Sequence, residues 1–277
     1  MITVTTMGGI GNQMFQYTCG LAQARRLGTE LQIDRGKGEN INSYRPFNLN
    51  LFNIKATVAE NVVGDTVRER YINYDSGIDS RVKDGDILFG FWQSEKYFKN
   101  VIDEVCDSFA SVKTWPAHAL EYGDLIQSTG DRSLMIGIRR DDYVNKPKHA
   151  EFHGVMPMSY YVQGIEMVRE YLKQDPVLFI FTDDPDWVKQ NWDFRFETHY
   201  FIGERTLPGH IGREDVDLGL MSLCNSAIIA NGTFHWWGAW LGERWGTGIR
   251  IAPKQWFRDP EAQAQTGDIV PDRWHKI

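Results

Sequence analysis

SLMIGIRRDDY, residues 133–143, is the stretch that decides the fold. Its apolar part, residues 134–138, is short enough for a buried strand and is interrupted only by Gly137. Two arginines and two aspartates follow at once, at residues 139–142. Because ligands of open α/β sheets bind at the carboxyl ends of strands, these charges are predicted at the edge where chemistry takes place. A guanidinium there can hold a phosphate through two parallel hydrogen bonds. A surface salt-bridge cluster is the alternative that the tetrad alone leaves open.

Strands and helices alternate on the C-terminal side of this stretch, which is typical of a parallel sheet flanked by helices. The predicted strands are residues 176–181, 198–202, 227–230 and 249–253, and the predicted helices are residues 157–171, 187–192 and 215–224. Residues 145–154 read NKPKHAEFHG, a polar sequence that predicts a loop. A small-residue turn around Gly232 and Thr233 follows the third of these strands and leads into an apolar helix. Backbone amides in such a turn can hold a phosphate.

The N-terminal part has the same plan of strand, glycine-rich turn and helix. Residues 2–6 alternate like a strand, and helical spacing then continues to Gly28, which suits a C-terminal cap. The turn is not a dinucleotide fingerprint, because Met14 stands where the last glycine would be when counted from Gly9. Asn12 and Gln13 place two amides at the start of the helix. Helix capping by Asn12 is the alternative to a binding role.

Another strand is predicted at residues 87–92, and it leads into Gln93. Trp92 and Gln93 at this strand end can contact the hydroxyl face of a sugar, or Trp92 packs inside and Ser94 caps a following helix. A strand is also predicted at residues 30–34, an ordered loop at 35–53 and a helix at 101–112, whereas residues 56–86 give mixed signals. Residues 114–130 contain a proline and two glycines. We place the border between two domains, residues 1–125 and 126–277, within this stretch.

The composition is that of an ordinary globular protein, with 42% hydrophobic and 24% charged residues in 277. A net charge of −7 argues against a nucleic-acid-binding protein, whose surface would be basic. The three cysteines are far apart and odd in number, which indicates reduced thiols in a cytoplasm and not a disulfide framework or zinc site. No stretch approaches the roughly 20 apolar residues of a membrane helix. We expect a cytoplasmic protein, for which peripheral association with the inner membrane stays open.

Several motifs, taken together and in order, resemble a known family. They are GGIGNQMFQY at residues 8–17, GFWQSEKYF at 90–98, IRRDDY at 138–143, FTDD at 181–184 and NGTFHWWGAWL at 231–241. They are similar to those of the bacterial inverting α-1,2-fucosyltransferases, a glycosyltransferase family 11-like group that uses GDP-fucose. The resemblance implies an α/β, GT-B-like architecture, in which two Rossmann-like domains with parallel sheets face a cleft. It also implies that neither a metal ion nor another cofactor is required.

The same resemblance implies roles for individual residues. It places Arg139 on the donor β-phosphate, and Asp142 is our first candidate for the catalytic base, with partnership to Arg140 as the alternative. The other donor-side residues that it implies are Gly9, Gly11, Asp217 (on guanine), Thr233 and Phe234. Asn12 is expected to act beside the diphosphate and the acceptor. The residues expected near the acceptor are Gln13, Trp92, Gln93, Glu151 and His153, of which Glu151 and His153 are the further candidates for the base.

The chain departs from the family pattern at four positions in or next to the motifs quoted above. Gly137 stands where histidine is usual, so a contact from that side chain is missing, and Asp141 stands where glycine is usual. Gly232 and His235 stand where serines are common. These changes bear on donor or acceptor preference more than on the class of reaction.

The expected reaction transfers L-fucose from GDP-β-L-fucose to a hydroxyl of a glycan acceptor, the 2-hydroxyl of a galactoside. The expected partners are therefore GDP-fucose and an oligosaccharide or lipid-linked glycan. One alternative is a metal-dependent glycosyltransferase in which Asp183 and Asp184 hold Mg²⁺ or Mn²⁺ on the diphosphate. Another is a module that binds nucleotide sugars or glycans without catalysis.

Overall fold

A computed structural model describes residues 1–35, 46–59, 62–192, 195–201 and 213–277 of the chain. These residues form two compact units. The first comprises Met1–Val112 and Ala264–Pro271, and the second comprises Lys113–Gln263 and Asp272–Ile277. The observed border, after Val112, thus lies before the border expected between residues 125 and 126. The segment Ala264–Pro271, which lies far along the chain, also belongs to the first unit.

The first unit is built on a five-stranded sheet in which all registered pairs are parallel. Its strands are β1 (Ile2–Thr5), β2 (Leu31–Asp34), β3 (Thr57–Ala59), β4 (Thr66–Arg68) and β5 (Ile87–Phe89), in the order β3-β2-β1-β5-β4. Its helices are α1 (Ile10–Leu27), α2 (Ile78–Arg81) and α3 (Ile102–Ser108). Strand β1 has β2 on one side and β5 on the other, so the strand order reverses direction beside it. The carboxyl end of β1 is therefore a switch point, the usual place of a ligand site in such sheets.

Helix α1 connects β1 to β2 and is buried over most of its length. It begins after Gly9, which forms no side-chain cap, and it ends at Gly28 in the left-handed conformation, as predicted. Asn12 lies inside the helix and is not its N-cap, so the capping alternative is wrong. Gly8 has φ 75°, a conformation that glycine adopts without strain.

The second unit contains a six-stranded sheet, again with parallel pairing throughout the described residues. Its strands are β6 (Ser133–Ile138), β7 (Val177–Thr182), β8 (Thr198–Phe201), β9 (Ser226–Ile228), β10 (Arg250–Ala252) and β11 (His275–Lys276), in the order β11-β10-β9-β6-β7-β8. Its helices are α4 (Ala117–Ser128), α5 (Asp141–Asn145), α6 (Pro147–Phe152), α7 (Met158–Leu172), α8 (Pro185–Asn191), α9 (Glu214–Leu223), α10 (Thr233–Gly242) and α11 (Pro260–Gln263). The expected α/β class with two Rossmann-like, parallel-sheet units is confirmed.

Every residue of β6 and β7 is buried, as their continuous apolar sequences predict. Strand β6 lies between β7 and β9, so the strand order of the second sheet reverses beside it. The residues that follow β6 therefore emerge at a second switch point. Helix α7 covers this part of the sheet with Tyr161, Ile165 and Val168.

Some local predictions are wrong or incomplete. Residues 145–154 are not a loop, because α5 and α6 occupy most of this stretch. Helices of one or two turns are too short to show a 3.6-residue period, although Pro147 at the first position of α6 is a helix-start signal. The helix expected at residues 101–112 is shorter, and β3, β4 and α2 lie in the stretch of mixed signals. Much of the expected loop at 35–53, and residue 202 of an expected strand, lie outside the described residues.

Among the described residues, none of the helices combines the length and the apolar character that a membrane span requires.

Gly164 gives a test of how closely α7 packs on the second sheet. A Cβ atom at this position would lie 2.9 Å from Cδ1 of Ile228 in β9. We expect Gly164→Leu to lower the free energy of unfolding by about 1–3 kcal/mol through overpacking, although leucine favours helix more than glycine does. Chemical denaturation checks this value. Val162→Leu on the same helix is the control, because Val162 is 48% exposed and should change stability by less than about 0.5 kcal/mol. Equal effects of the two substitutions would contradict the packing argument.

Candidate active site

Arg139 follows the last residue of β6 and is held by carboxylates from two elements. Its Nη2 atom donates a hydrogen bond to Asp142 at the start of α5, and its Nη1 atom lies 2.8 Å from an oxygen of Asp183, which follows β7. The guanidinium carbon also lies 5.3 Å from the ring centroid of Tyr143. Burial pulls the pKa of Arg139 down, but the two aspartates outweigh it and hold the pKa above its ordinary value. The side chain is therefore a fixed cation that stays 25% exposed.

Arg140 points to a different set of partners. Its backbone N–H donates to Asp183 over 2.8 Å, its Nε atom donates to Asp184 over 3.1 Å, and its guanidinium stacks 3.2 Å from the ring centroid of Trp187. Burial raises the pKa of Asp183, while Arg139 and the Arg140 amide oppose that change. Asp183 thus joins the ends of β6 and β7. Arg140 is a structural cation, and Asp142 is the partner of Arg139 and not of Arg140.

Three carboxylates meet beside Arg139. Asp141, Asp142 and Asp183 each offer one oxygen, and these atoms lie within 4.8 Å of one another. Of the pair that the metal-dependent alternative invoked, only Asp183 belongs to this group, since Asp184 pairs with Arg140. Two of the three carboxylates pair with the Arg139 guanidinium, whose single positive charge balances one of them.

Helices α5 and α6 bring two histidines to the same place. His149 Nδ1 lies 3.3 Å from Asp142 Oδ2. The His153 ring stacks on Tyr143, with centroids 4.3 Å apart and planes 4° from parallel, and its backbone carbonyl accepts a hydrogen bond from Asn231. Burial, with a smaller contribution from His149, lowers the pKa of His153 to about 4. The sequence does not single out His149, because the stretch is predicted to be a loop. Its spacing from Asp142 becomes a signal only once two short helices are placed there.

Gly137 and His235 are direct neighbours across two elements. His235 is the third residue of α10 and is 7% exposed. A Cβ atom at Gly137 would lie 2.5 Å from the Cγ atom of the His235 ring. Burial and then the charge of Arg139 lower the pKa of His235 to about 3, although a hydrogen bond with the Phe181 backbone opposes this. Gly137 does lack the usual side chain, but the neutral imidazole of His235 fills the space beside it.

The remaining donor-side residues lie at the starts of α9 and α10. Gly232 is the N-cap of α10 and forms no side-chain cap, and Thr233 and Phe234 are the half-buried residues that follow it. The N-terminal backbone amides of a helix favour an anion. Asp217 lies in the first turn of α9, which packs against α10. Glu151 is exposed on α6.

The first unit gathers a second group of predicted residues at the carboxyl ends of β1 and β5, which are adjacent strands. Gly9 and Gly11 lie at the N-terminus of α1, and the Asn12 Oδ1 atom accepts a hydrogen bond of 2.9 Å from Gln93 Nε2. Both of these amide side chains are half-buried. Asn12 and Gln93 thus form one polar group at the edge of the first sheet.

Gln13 and Trp92 do not present their side chains there. Gln13 is 2% exposed, and its amide bonds to the Gly8 and Pro46 carbonyls and to the Asn48 N–H. Trp92 is fully buried, which favours the packed alternative for this residue.

The backbone around Trp92 explains its burial. Trp92 has φ 56°, and its N–H donates to the half-buried carboxylate of Glu69 over 2.8 Å. The Ser94 hydroxyl caps the short helix Glu95–Tyr97, as the packed alternative expected. The sequence shows no sign of the Glu69 contact, because the two residues are far apart along the chain.

The contact between Gly137 and His235 yields a test by double substitution. We expect Gly137→Ala to lower the free energy of unfolding by about 1–3 kcal/mol, because the methyl group would overlap the imidazole ring. Adding His235→Ser should recover about 0.5–3 kcal/mol of that loss, which a double-mutant cycle measured by denaturation would report as coupling. Strictly additive effects would show that the ring does not constrain residue 137.

The sequence of this chain is similar to those of known proteins over its full length. The family model described as Glycosyl transferase family 11 matches residues 1–277, which is the whole chain. An α-1,2-colitosyltransferase of Escherichia coli is 31% identical, over 100% of this chain and 99% of that protein. The O-antigen biosynthesis glycosyltransferase WbnK of Escherichia coli is 26% identical, over 96% and 97%. Galactoside α-(1,2)-fucosyltransferase 2 of Hylobates lar is 24% identical, over 87% of this chain and 69% of that protein.

Solved structures of glycosyltransferases are also similar, at lower identity. The fucosyltransferase NodZ from Bradyrhizobium is 13% identical, with a TM-score of 0.47 and coverage of 86% of this chain and 90% of that one. The ADP-heptose lipopolysaccharide heptosyltransferase II of Escherichia coli is 10% identical, with a TM-score of 0.49 and coverage of 100% and 89%. The assignment therefore rests on the sequence matches. By its full-length match and its 31% identity to a relative of equal extent, the chain belongs to glycosyl transferase family 11, as its motifs predict.

Proposed function

We propose that this family 11 glycosyltransferase moves L-fucose, with inversion, from GDP-β-L-fucose to the 2-hydroxyl of a galactoside in a glycan acceptor. The observation that carries the proposal is the Arg139 guanidinium, fixed at the carboxyl end of β6 by Asp142 and Asp183 and still partly exposed. A diphosphate is the part of the donor that such a group recognises.

The donor side follows from the geometry of Arg139. A guanidinium has five N–H donors, and Arg139 uses only part of this set on its two aspartates. The remaining donors are available to the diphosphate. The first turn of α10, whose residue His235 lies against β6, offers backbone amides to the same anion. In this proposal Asp217 accepts hydrogen bonds from guanine.

The chemical step breaks the bond between the anomeric carbon and the diphosphate oxygen. The acceptor oxygen bonds to that carbon from the opposite face, and the electron pair of the broken bond leaves with GDP. Negative charge therefore grows on the diphosphate, where Arg139 stabilises it without rearranging. The neutral His235 beside Arg139 adds no second charge.

Each unit, taken by itself, contains polar groups that are candidates for acceptor binding. Asn12 and Gln93 are half-buried amides suited to sugar hydroxyls, and Glu151 and His153 are the candidates on the second unit. Gln13 and Trp92 act through packing. The name of WbnK supports a lipid-linked O-antigen unit as the acceptor, with a free oligosaccharide as the simpler substitute.

Colitose is the second candidate for the transferred sugar, because the α-1,2-colitosyltransferase is 31% identical over the full chain. Colitose is fucose without its 3-hydroxyl, so the two donors differ by one hydrogen-bonding group. A site that hydrogen-bonds this hydroxyl would discriminate strongly against the deoxy sugar, whereas an apolar site would discriminate weakly.

A donor and acceptor panel tests the proposal. The purified protein is incubated with GDP-fucose, the GDP-activated colitose donor or GDP-mannose, each with terminal galactosides, and both GDP release and glycoside formation are measured. We expect GDP-fucose to give the highest kcat/KM, with undiminished turnover in EDTA. Preference for the colitose donor would replace the sugar in the proposal. Loss of turnover in EDTA, restored by Mg²⁺ or Mn²⁺, would support the metal-dependent alternative, and GDP-sugar binding without GDP release would support a binding module.

Arg139 should be the least replaceable side chain for the donor. We expect Arg139→Ala to abolish transfer, and Arg139→Lys to leave a trace that is lower by about 10² to 10³, because lysine cannot form two parallel hydrogen bonds. Steady-state kinetics with GDP release as the readout measures both. Arg169→Lys, on the exposed part of α7, is the control and should match the parent. Near-normal turnover of Arg139→Lys would contradict the role of Arg139 on the diphosphate.

A further inference from the structure

The two oxygens of Asp142 face two different side chains. Oδ1 accepts the hydrogen bond from Arg139, and Oδ2 lies 3.3 Å from His149 Nδ1. Asp142 itself is only 9% exposed. A single buried carboxylate thus lies between the cation assigned to the leaving group and an imidazole.

The His149 side chain is buried at one ring nitrogen and partly exposed elsewhere. Its Nδ1 atom has almost no solvent-accessible surface, yet the side chain as a whole is 43% exposed. The exposure therefore belongs to the rest of the side chain. The Nδ1 contact with Asp142 lacks the alignment of a full hydrogen bond, as is common for catalytic pairs before substrates bind. The His153 ring also faces it edge-on, with the two ring centroids 6.0 Å apart.

The other candidates for the base are less suited by their surroundings. Asp142 already faces Arg139 and His149 with its two oxygens. The His153 ring is stacked on Tyr143, and burial lowers the pKa of His153 to about 4, which makes it a weak proton acceptor. Glu151 is exposed to solvent on the far turn of α6. His149 combines a partly exposed side chain with a carboxylate beside its buried Nδ1 atom.

We propose that His149 is the general base of the transfer and that Asp142 orients it. The acceptor hydroxyl gives its proton to His149 Nε2 while its oxygen bonds to the anomeric carbon, and the electron pair of the broken bond leaves with GDP. Asp142 Oδ2 accepts the Nδ1–H bond and stabilises the imidazolium, which then returns its proton to water. This inference rests on the proposed function, because it names the residue that activates the acceptor.

Asp142 also sets the position of the Arg139 guanidinium relative to the His149 imidazole. The same carboxylate that orients the base positions the Arg139 guanidinium, so the leaving group and the acceptor are placed relative to one residue. Removing the imidazole should impair the chemical step and leave donor binding intact. Removing the carboxylate should impair both.

The test uses the full chain with its best donor and acceptor. We expect His149→Gln to lower kcat by about 10² to 10⁴, the usual contribution of a general base, with GDP affinity by calorimetry within about threefold of the parent. Asp142→Asn should lower kcat and also weaken GDP binding. Added imidazole should restore transfer by His149→Ala in a saturable way, which a purely structural role would not allow.

His199→Gln is the matched control. His199 belongs to another imidazole–carboxylate pair, in which its Nε2 atom lies 3.1 Å from Glu197, but it lies on β8. Its substitution should leave kcat within about twofold of the parent, since surface changes of this kind have small effects. Turnover of His149→Gln close to that of the parent, or failure of imidazole to restore His149→Ala, would overturn the assignment of the base. A parent protein that transfers sugar from no GDP donor would overturn the proposed function and this inference with it.

Discussion

The ion pairs of Arg139 with Asp142 and Asp183 are the interaction on which the site depends. Charges this far from water are tolerated only when they are paired, so each carboxylate is needed to keep the guanidinium at the strand end. The pairing joins β6, the end of β7 and α5 into one edge. The two carboxylates carry more negative charge than the one guanidinium carries positive charge, so the site orients a ligand at the expense of attracting an anion. A ligand anion must then be recognised by shape and hydrogen bonds more than by net charge.

The rest of the second unit follows from where β6 lies in the sheet. Its position between β7 and β9 brings the residues after three strands to one edge, where the first turn of α10 also arrives. The close contact of His235 with Gly137 shows that the sizes of these two side chains depend on each other, because a larger side chain on the strand would require a smaller one on the helix. The departures from the family pattern at residues 137 and 235 are therefore coupled and act as a single change.

Much of the fold could be predicted from local patterns, and much of the site could not. The strands β6 and β7 are continuous apolar runs, and Gly28 marks the end of α1, so short windows suffice for them. Strand order depends on pairing between segments that are far apart in the sequence, and a short stretch of sequence does not contain both partners. The helices α5 and α6 are too short to show a 3.6-residue apolar repeat, so the sequence predicts neither of them and does not single out His149. The burial of Trp92 depends on Glu69, and that of Gln13 on Pro46 and Asn48, which are contacts made only in the folded chain.

The segment Ala264–Pro271 leaves the second unit and packs in the first, where Asp268 pairs with Lys96 and accepts a hydrogen bond from the Tyr74 backbone. Neither unit is therefore an unbroken stretch of polypeptide. A chimera that exchanges one half of the chain between relatives at a single crossover would separate this segment from its partners. Recombination within the family would have to respect three junctions, near residues 112, 263 and 271, for both parents to contribute intact folding units.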